Sequence, residues 1–403
     1  MERREEPCRE ADVGTRLMRV LHFLPVYAPA WQFGGPVLSV SRLCEGLEQL
    51  GVELRVVTTN AGLPDFPAEQ LGKPQLVNGV NVTYYPVDSQ AKTIYSQALV
   101  AALPEQMAWA DVVHLSSIWQ PLGLPVQQAA HAAGVPVIQT LRGALGPYSL
   151  RRGWWKKFPY FLLKERSLLQ RAAALHCTTS QEAREIRWMR LKAPVKVLAN
   201  PIELSQIHTD PLAGQAWREH MALPVDQPLF LVAGRLHHKK GLDLLPEVLK
   251  LLAHKPWQIL FIGEDDDGTG RSLRRQFDDL GLANRCHWHP ALPAKELMGP
   301  YNAADWLLLP SRHENFGNVV VEALASGCGA LISDRVGVAD SLRSCPGVRV
   351  AERSKRAWVQ MLDIALSSQR PGLAAEDWVK ERFSKQLIAR AGLQLYSSVL
   401  SHG

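Results

Sequence analysis

Cysteine is scarce in this 403-residue sequence, and none of its six cysteines stands in a CxxC pair. The spacing typical of a zinc knuckle or a redox dithiol is therefore missing. Cys44, Cys177 and Cys286 lie in apolar or strand-like stretches, where a free thiol behaves as a small hydrophobe. We therefore expect free cysteines and a reducing, cytoplasmic compartment.

Long apolar runs are missing as well. No stretch reaches the roughly 18 apolar residues of a membrane span, so we predict no transmembrane helix. Residues 1–16 are dense in charge and lack the apolar centre of a secretory signal peptide. We predict a disordered tail there.

The composition has no acidic excess, since the net charge is +6 and the isoelectric point is about 9.0. A basic chain suits nucleic acid, an anionic membrane surface or a small anionic substrate. No recognition-helix, zinc-finger or RNA-binding signature is present, so we predict no nucleic acid partner. The proportions of 46% hydrophobic and 21% charged residues are those of a globular enzyme.

Strand-like and helix-like segments alternate along the chain, which is typical of parallel sheets covered by helices on both faces. In the first half we predict strands at residues 17–24, 52–58, 80–86, 112–115, 135–140 and 173–178. The pattern restarts after residues 197–202, with strands at 229–233, 259–263, 285–289, 306–310 and 330–333. The predicted fold class is therefore α/β, with two Rossmann-like doubly wound domains facing a cleft.

This reading divides the chain into four parts. They are a tail at residues 1–16, a first domain at 17–200, a second domain at 201–375 and a C-terminal helix at 376–403. The length agrees with this division at roughly 100–200 residues per domain. Ligands of such sheets bind at the carboxyl ends of the strands, so we expect the substrates in the cleft.

Residues 304–334 have the pattern of one strand–helix–strand unit. The strand leads into a polar loop, and we predict Asn318 as the N-cap of the helix. Glu314 lies on the loop, and Glu322 lies in the first turns of the helix. Backbone N–H groups at such a helix start suit a phosphate, and carboxylates accept hydrogen bonds from sugar hydroxyls.

A basic partner for an anionic ligand comes from residues 232–241. Arg235 follows a strand and Lys240 precedes a helix, so we expect both at the sheet edge that carries Glu314. Arg235 can hold two phosphate oxygens at once, whereas Lys240 acts as a point charge. A charge pair at about 4 Å is worth roughly 4 kcal/mol at an effective dielectric constant of about 20. Such charge matters most for a departing diphosphate.

With these residues the sequence resembles a known family. The patterns GRLxxxKG at residues 234–241 and ExFGxxxxEAxAxG at 314–327 are similar to those of the retaining nucleotide-sugar glycosyltransferases of family 4, the group 1 transferases. The resemblance runs from about residue 17 to residue 396. It implies the two-domain GT-B fold, a UDP- or GDP-linked sugar donor, no metal or other cofactor, and a final helix that crosses back to the first domain.

The resemblance also implies roles for individual residues. Arg235 and Lys240 would contact the diphosphate and, with Glu314 near the donor sugar, form the catalytic set. Glu322 would contact the ribose. The stretch beside the sugar and phosphates would be Asn315, Phe316, Gly317, Asn318 and Val319.

The first half resembles the family too. Residues 33–36 join a strand to a helix, where Gly34 and Gly35 let the backbone approach the donor phosphates. Many relatives carry His where Arg142 and Ser116 stand, so this sequence departs from the family pattern on the acceptor side. The candidate acceptor-side residues are His114, Trp119 and Arg142.

Simpler interpretations stay open for several of these residues. Glu314 and Glu322 also suit a solvated loop acid and a carboxylate favoured near a helix start, and His114 also suits a packed strand position. Residues 237–238 and 287–289 carry histidine pairs without an acidic or cysteine ligand set, so no metal site is predicted.

Three other functions compete with transfer to a hydroxyl acceptor: a nucleotide-sugar epimerase, a sugar phosphorylase, and a two-lobed sugar-binding protein without catalysis. We favour a glycosyltransferase of polysaccharide biosynthesis that acts on a glycan or lipid-linked acceptor. Residues 151–164 mix basic and aromatic side chains, which suits either an ordinary helix or contact with an anionic membrane surface. The second interpretation adds a peripheral location at the inner face of the membrane.

Overall fold

The protein is described by a computed structural model that covers residues 17–88, 93–116, 118–151 and 153–401. The predicted tail at residues 1–16 lies outside the described residues. Across the part that the structure describes, the strands form one sheet of eight strands and one of six. The predicted α/β fold with two doubly wound domains is confirmed.

The first sheet has the strand order β3-β4-β2-β1-β5-β6-β7-β8. All neighbouring strands are parallel except β3 and β4, an antiparallel hairpin that the sequence pattern did not predict. The strands are β1 (Arg19–Val26), β2 (Glu53–Thr59), β3 (Pro74–Val77), β4 (Val80–Tyr85), β5 (Val112–Leu115), β6 (Val137–Thr140), β7 (Ala174–Cys177) and β8 (Val195–Val197).

Helices cover both faces of this sheet. They are α1 (Gly35–Glu48), α2 (Gln97–Trp109), α3 (Gly123–Ala132), α4 (Pro147–Arg151), α5 (Trp154–Tyr160), α6 (Arg166–Arg171) and α7 (Ser180–Glu185). A wide helical turn, Phe161–Glu165, joins α5 to α6.

The second sheet is parallel throughout, with the order β11-β10-β9-β12-β13-β14. Its strands are β9 (Leu229–Ala233), β10 (Gln258–Ile262), β11 (Cys286–His289), β12 (Trp306–Leu309), β13 (Gly329–Ser333) and β14 (Val348–Ala351). Its helices are α8 (Pro211–His220), α9 (Leu245–Leu251), α10 (Thr269–Asp279), α11 (Met298–Ala303), α12 (Asn318–Ala325), α13 (Ala339–Leu342) and α14 (Lys355–Leu366).

Two further helices end the chain, α15 (Leu373–Phe383) and α16 (Lys385–Leu400). The continuous helix that we expected from residue 376 is broken at Ser384, whose backbone is extended and pairs with Ile202. The apolar side of α15 joins the core of the second domain, and that of α16 joins the core of the first. The chain therefore crosses back only after Ser384.

The central strands of the second sheet are covered on both faces. Every residue of β9 and β12 is buried, as expected for strands covered on both faces. Both strands lie in the middle of their sheet, and β9 pairs with β10 on one side and β12 on the other. The loops that follow β9 and β12 therefore leave the same edge and diverge, which opens a crevice for a ligand.

No helix within the described ranges is both long and apolar enough to cross a bilayer. The five cysteines of the described part, Cys44, Cys177, Cys286, Cys328 and Cys345, are free thiols.

Three buried histidines, one each from β1, β5 and β7, form what we call the histidine cluster: His22, His114 and His176. His114 shares hydrogen bonds with the Tyr396 hydroxyl at 2.8 Å and with His176 at 3.1 Å. Burial lowers the pKa of His22 to about 3 and that of His176 to about 4, and it lowers the pKa of His114 as well. The cluster is neutral and ties α16 to the first sheet.

We expect the histidine cluster to make the unfolding free energy fall as the solution is acidified. Because the folded pKa values lie below the unfolded value of about 6.5, only the unfolded chain takes up protons between about pH 6.5 and pH 4. Each histidine then contributes up to about 1.4 kcal/mol per pH unit, and the full contribution is present above about pH 6.5. Urea titrations at pH 7.5 and 5.5 would measure the difference.

Candidate active site

The loops after β9 and β12 bring a lysine and a glutamate together. The Lys240 Nζ lies 2.6 Å from Glu314 Oε2, and both side chains are about three-quarters buried. Lys240 ends a short helical turn, His238–Lys240, and Glu314 lies in the loop before α12. The pair forms because β9 and β12 are neighbours in the sheet, which the sequence does not reveal.

The backbone around Glu314 is held by a second loop. The Glu314 N–H donates to the Arg335 carbonyl at 3.1 Å, and the Glu314 carbonyl accepts from the Gly337 N–H at 2.9 Å. Val338 N–H donates to the Phe316 carbonyl at 3.0 Å. Both carbonyl groups are thus engaged, and the loop is fixed before any ligand arrives.

Arg235 lies at the same sheet edge but is turned elsewhere. Its side chain is 75% exposed, and its Nη1 donates to Asp266 Oδ2 at 2.9 Å. The structure therefore brings Lys240 and Glu314 together, whereas Arg235, on the loop after β9, pairs with Asp266 on the loop after β10.

The start of α12 differs from our prediction by one residue. The N-cap is Gly317, with a φ of 99°, and Asn318 is the first helical residue. Gly317 suits this left-handed backbone because it has no Cβ. Its neighbour Val319 lies in the first turn, where backbone N–H groups lack helical partners and can bind an anion.

The first turn of α1 faces the first turn of α12 across the cleft. A Cβ atom on Gly35 would lie 2.9 Å from the Asn318 amide nitrogen, so only glycine fits without a shift. Gly34 has a φ of 79° and open space where a Cβ would be. The Asn318 amide oxygen accepts from Asn200 Nδ2 at 2.9 Å. Two helix N-termini therefore converge on one space.

Asn315 and Phe316 attach the loop that carries Glu314 to the rest of the molecule. Asn315 Nδ2 donates to Thr178 Oγ1 in the first domain at 3.0 Å, and its side chain lies against Gly143. Phe316 is buried and packs edge-on against Phe383. These side chains hold the loop in position, and the backbone of Phe316 remains beside the cleft.

Glu322 is buried in the second turn of α12, where it meets the first domain. Its Oε1 accepts from Arg42 Nη1 at 3.3 Å, and its Oε2 accepts from the Tyr301 hydroxyl at 3.1 Å. Both charged side chains are less than a tenth exposed. Sequence reasoning missed Arg42 and Tyr301. The available signal for Arg42 was its position two turns after Gly35, on the same face of α1.

The candidate acceptor residues have different environments. The Arg142 guanidinium donates to Ser39 Oγ on α1 at 3.0 Å, and burial lowers the pKa of Arg142 to about 10. Trp119 donates to the Ala144 carbonyl at 3.2 Å and packs near α5. His114 is fully buried within the histidine cluster, so it packs below the cleft and does not reach the substrate space.

The loop around Arg142 depends on a glutamate that the sequence pattern did not indicate. Glu182 is buried and accepts from the Gly143 N–H and from the N–H of Thr178 at 2.7 Å. Burial raises the pKa of Glu182, and the hydrogen bonds and Arg142 oppose that rise. Glu182 therefore shapes the loop around Arg142 through the backbone.

His237, His238 and Asp267 bring three potential metal ligands within 4.8 Å of one another. Their hydrogen bonds favour a structural role. His237 Nδ1 accepts from the Lys239 N–H at 3.2 Å, so the neutral ring carries its proton on Nε2, the atom nearest Asp267. Asp267 also accepts from the Thr269 hydroxyl at 2.6 Å, at the start of α10. The group braces two loops.

Two parallel-sheet domains and a phosphate-suited helix start beside Lys240 and Glu314 define a glycosyltransferase of GT-B architecture. Residues 34–201 match the family model described as a glycosyl transferase 4-like domain, and residues 214–382 match that of the glycosyl transferases group 1. The chain therefore belongs to the group 1 glycosyltransferases of family 4, as the sequence motifs predicted.

Curated relatives align over nearly the whole chain. A D-inositol 3-phosphate glycosyltransferase of Xylanimonas cellulosilytica is 27% identical, and the alignment covers 95% of this chain and 97% of that protein. A 2-deoxystreptamine glucosyltransferase of Streptomyces kanamyceticus is 28% identical, with 90% of this chain and 98% of that protein aligned.

Solved structures share the fold. A sucrose-phosphate synthase from Thermosynechococcus elongatus has a TM-score of 0.74 at 17% identity, over 96% of this chain and all of that one. Anabaena HepE in complex with UDP-glucose has a TM-score of 0.72 at 17% identity, over 94% of this chain and all of that one.

Proposed function

We propose that the protein is a retaining glycosyltransferase that moves a sugar from a UDP- or GDP-linked donor to a hydroxyl group of a glycan or lipid-linked acceptor. The observation that carries the proposal is the Lys240–Glu314 pair, which lies beside the first turn of α12 and across the cleft from that of α1. Among structures with this fold, HepE has been solved with UDP and glucose. Polysaccharide biosynthesis is the process we propose.

The donor would be held mainly by the second domain. Lys240 and the N–H groups at Gly317 and Val319 would bind the diphosphate, with Gly34 and Gly35 below it. Arg235 would leave Asp266 for a phosphate, at low cost because an exposed ion pair contributes only about 0–1 kcal/mol.

Glu322 would bind the ribose and Glu314 the donor sugar. Each oxygen of Glu322 accepts one hydrogen bond, from Arg42 or from Tyr301, and retains a further lone pair for a ribose hydroxyl. Glu314 is positioned by its backbone bonds and Lys240, so a sugar hydroxyl would meet a prearranged acceptor.

In the proposed reaction the bond between the sugar C1 and the diphosphate oxygen breaks. The acceptor oxygen bonds to C1 on the same face of the sugar from which the diphosphate departs. The acceptor proton passes to the departing diphosphate oxygen. Glu182, Glu314 and Glu322 each accept hydrogen bonds from backbone or cationic groups, which favours the leaving group as the base. Lys240 and Arg235 would stabilise the charge that develops.

We propose further that transfer needs no metal, because Lys240 lies in the proposed diphosphate space and Arg235 lies at the same sheet edge. Dialysis against EDTA should leave the transfer rate within about twofold of the untreated rate, since Lys240 and Arg235 supply the charge. A loss of activity that Mg²⁺ or Mn²⁺ restores would contradict this. A metal-dependent glycosyltransferase assayed in parallel is the control.

The acceptor has two candidates. The positive charge of Arg142, held by Ser39 of α1, suits a phosphorylated polyol, and one relative is a D-inositol 3-phosphate glycosyltransferase. The basic and aromatic surface of residues 151–164 favours a lipid-linked glycan at the inner face of the membrane, in the cytoplasm. Assays with inositol 3-phosphate and with a lipid-linked glycan separate the two.

Nucleotide binding tests the donor assignment. UDP or GDP should raise the midpoint temperature of thermal unfolding. At a hundredfold excess over the dissociation constant, the ligand adds about 2.7 kcal/mol to the unfolding free energy. A sugar-binding protein without catalysis would ignore UDP, GDP and ADP alike. An epimerase would release an altered sugar without an acceptor, and a phosphorylase would need inorganic phosphate. Any of these three outcomes overturns the proposal.

A further inference from the structure

The first domain carries a face on which aromatic and leucine side chains are exposed beside basic ones. The face is formed by α4, α5, the turn Phe161–Glu165 and the short helical turn Arg187–Met189. Its exposed apolar side chains, with their exposed fractions, are Trp155 (63%), Phe158 (45%), Leu162 (48%), Leu163 (77%) and Trp188 (57%). We call it the aromatic-basic face. Apolar patches of this kind on a globular protein mark a binding surface.

The charge of this face is strongly one-sided. Residues 147–200 contain twelve Lys and Arg and three Glu, a net charge of +9, whereas the whole chain has +6. None of the three glutamates is exposed. Glu165 and Glu182 are buried with backbone N–H partners, and Glu185 is half-buried beside His313. Arg184 pairs with Asp340 of the second domain, and the segment still carries an excess of positive charge, which attracts anions.

A groove of about 290 Å³ runs through the face. Four apolar residues and two basic ones line it: Pro147, Leu150, Phe158, Trp188, Arg151 and Lys157. Lys157 Nζ donates to the Ser149 carbonyl at 2.6 Å, which leaves the aliphatic stem of the lysine along the groove. A groove lined by apolar side chains and by two basic ones suits a hydrocarbon chain that carries an anionic headgroup.

A residue adjacent to the groove in the chain contacts the loop that carries Glu314. Tyr148, the residue after Pro147, stacks on His313 with ring centroids 4.9 Å apart and an interplanar angle of 11°. His313 directly precedes Glu314. A lipid seated in the groove would therefore have its headgroup at the acceptor side of the cleft.

We propose that the aromatic-basic face docks on an anionic lipid bilayer, with one acyl chain in the groove, so that an acceptor borne by a lipid reaches Glu314. The inference rests on the proposed glycosyl transfer and adds the surface that meets the membrane. Trp and Leu side chains enter the boundary between headgroups and chains, while Arg and Lys remain at the phosphates.

Sedimentation with vesicles tests this surface on the full chain. We expect binding to phosphatidylcholine vesicles that contain 30% phosphatidylglycerol, a fraction chosen on the order of that in anionic membranes, and none to pure phosphatidylcholine. Raising the salt from about 0.1 M to about 1 M, which shortens the Debye length from roughly 10 to 3 Å, should weaken the binding.

The variant is Trp155→Ser/Leu163→Ser/Trp188→Ser, and it should bind about tenfold more weakly or worse because its membrane-inserting area is gone. The control is Leu76→Ser/Leu212→Ser, two leucines that are 78% and 77% exposed outside this face, and it should bind like the parent chain. No binding by the parent chain, equal binding to neutral vesicles, or an unchanged triple variant overturns the proposal.

Donor chemistry separates this failure from that of the proposed function. Stabilisation by UDP or GDP and slow hydrolysis of the sugar nucleotide should be the same in the triple variant and the parent chain, because none of the three side chains lines the donor space. Vesicle binding without any nucleotide response would refute the transferase assignment and leave the membrane surface standing.

Discussion

Replacing Glu314 or Lys240 by alanine should lower the rate of sugar transfer by about two to three orders of magnitude while the protein stays folded. Removing one preorganised group that stabilises developing charge typically costs that much in turnover. The two side chains are paired at 2.6 Å at the edge where β9 and β12 end, so each also orients the other.

The measurement is turnover at saturating donor, with circular dichroism and a thermal unfolding curve for each variant. The double variant should be little worse than the poorer single variant, because groups that act as a unit are not additive. A matched control is the exposed pair Lys355 and Glu247, joined at 2.9 Å on α14 and α9. Alanine at either of these positions should leave turnover unchanged. Near-normal rates in Lys240→Ala or Glu314→Ala would remove the basis of the transferase mechanism.

Arg42→Met should destabilise the protein by about 3–5 kcal/mol, because it leaves the buried Glu322 carboxylate with Tyr301 as its remaining side-chain partner. The pair joins α1 of the first domain to α12 of the second, so its loss should also loosen the contact between the domains. Burial makes the effect large, since a lone charge away from water keeps its desolvation cost.

Urea unfolding with tryptophan fluorescence would measure this effect. The double variant Arg42→Met/Glu322→Gln should recover part of the lost stability, since no unpaired charge remains. Arg19→Met is the control, because Arg19 and Asp111 form a pair at 3.2 Å that is about a quarter exposed, and we expect a loss of roughly 1 kcal/mol or less. Equal losses of unfolding free energy in the two single variants would mean that the buried interdomain pair contributes no more to stability than the more exposed pair.

The histidine cluster offers a further comparison. His176→Asn should flatten the dependence of stability on pH between about pH 6.5 and 5, because one group fewer takes up a proton on unfolding. A slope that does not change would assign the acid sensitivity to other groups.

Much of the local structure could be predicted because it depends on short-range patterns. The predicted strand at residues 229–233 matches β9 at both ends, and the strand at 112–115 matches β5. Most other boundaries moved by one or two residues, as helix and strand ends fray. The N-cap of α12 moved from Asn318 to Gly317 because the loop enters the helix through a left-handed residue, which only the folded chain specifies.

The structure adds most where distant segments meet. The C-terminal helix was expected to be continuous, yet Ser384 leaves the helix to pair with Ile202, 182 residues earlier in the chain. His114 lies at a strand end, a position from which a histidine can reach a substrate, but Tyr396 of α16 covers it. Arg235 lies at the predicted sheet edge, and its side chain is directed towards Asp266 on a neighbouring loop, to which it donates a hydrogen bond.

By itself the sequence determined the two α/β domains, the family, and the loops that carry Lys240, Glu314 and the helix start at Gly317. Those features follow from periodicity, turn residues and short motifs, each set by a few adjacent residues. Only the tertiary structure decided that Lys240 meets Glu314, that Arg42 pairs with Glu322, and that Tyr148 stacks on His313 beside Glu314. Strand order and domain packing set these contacts, and both depend on the core as a whole.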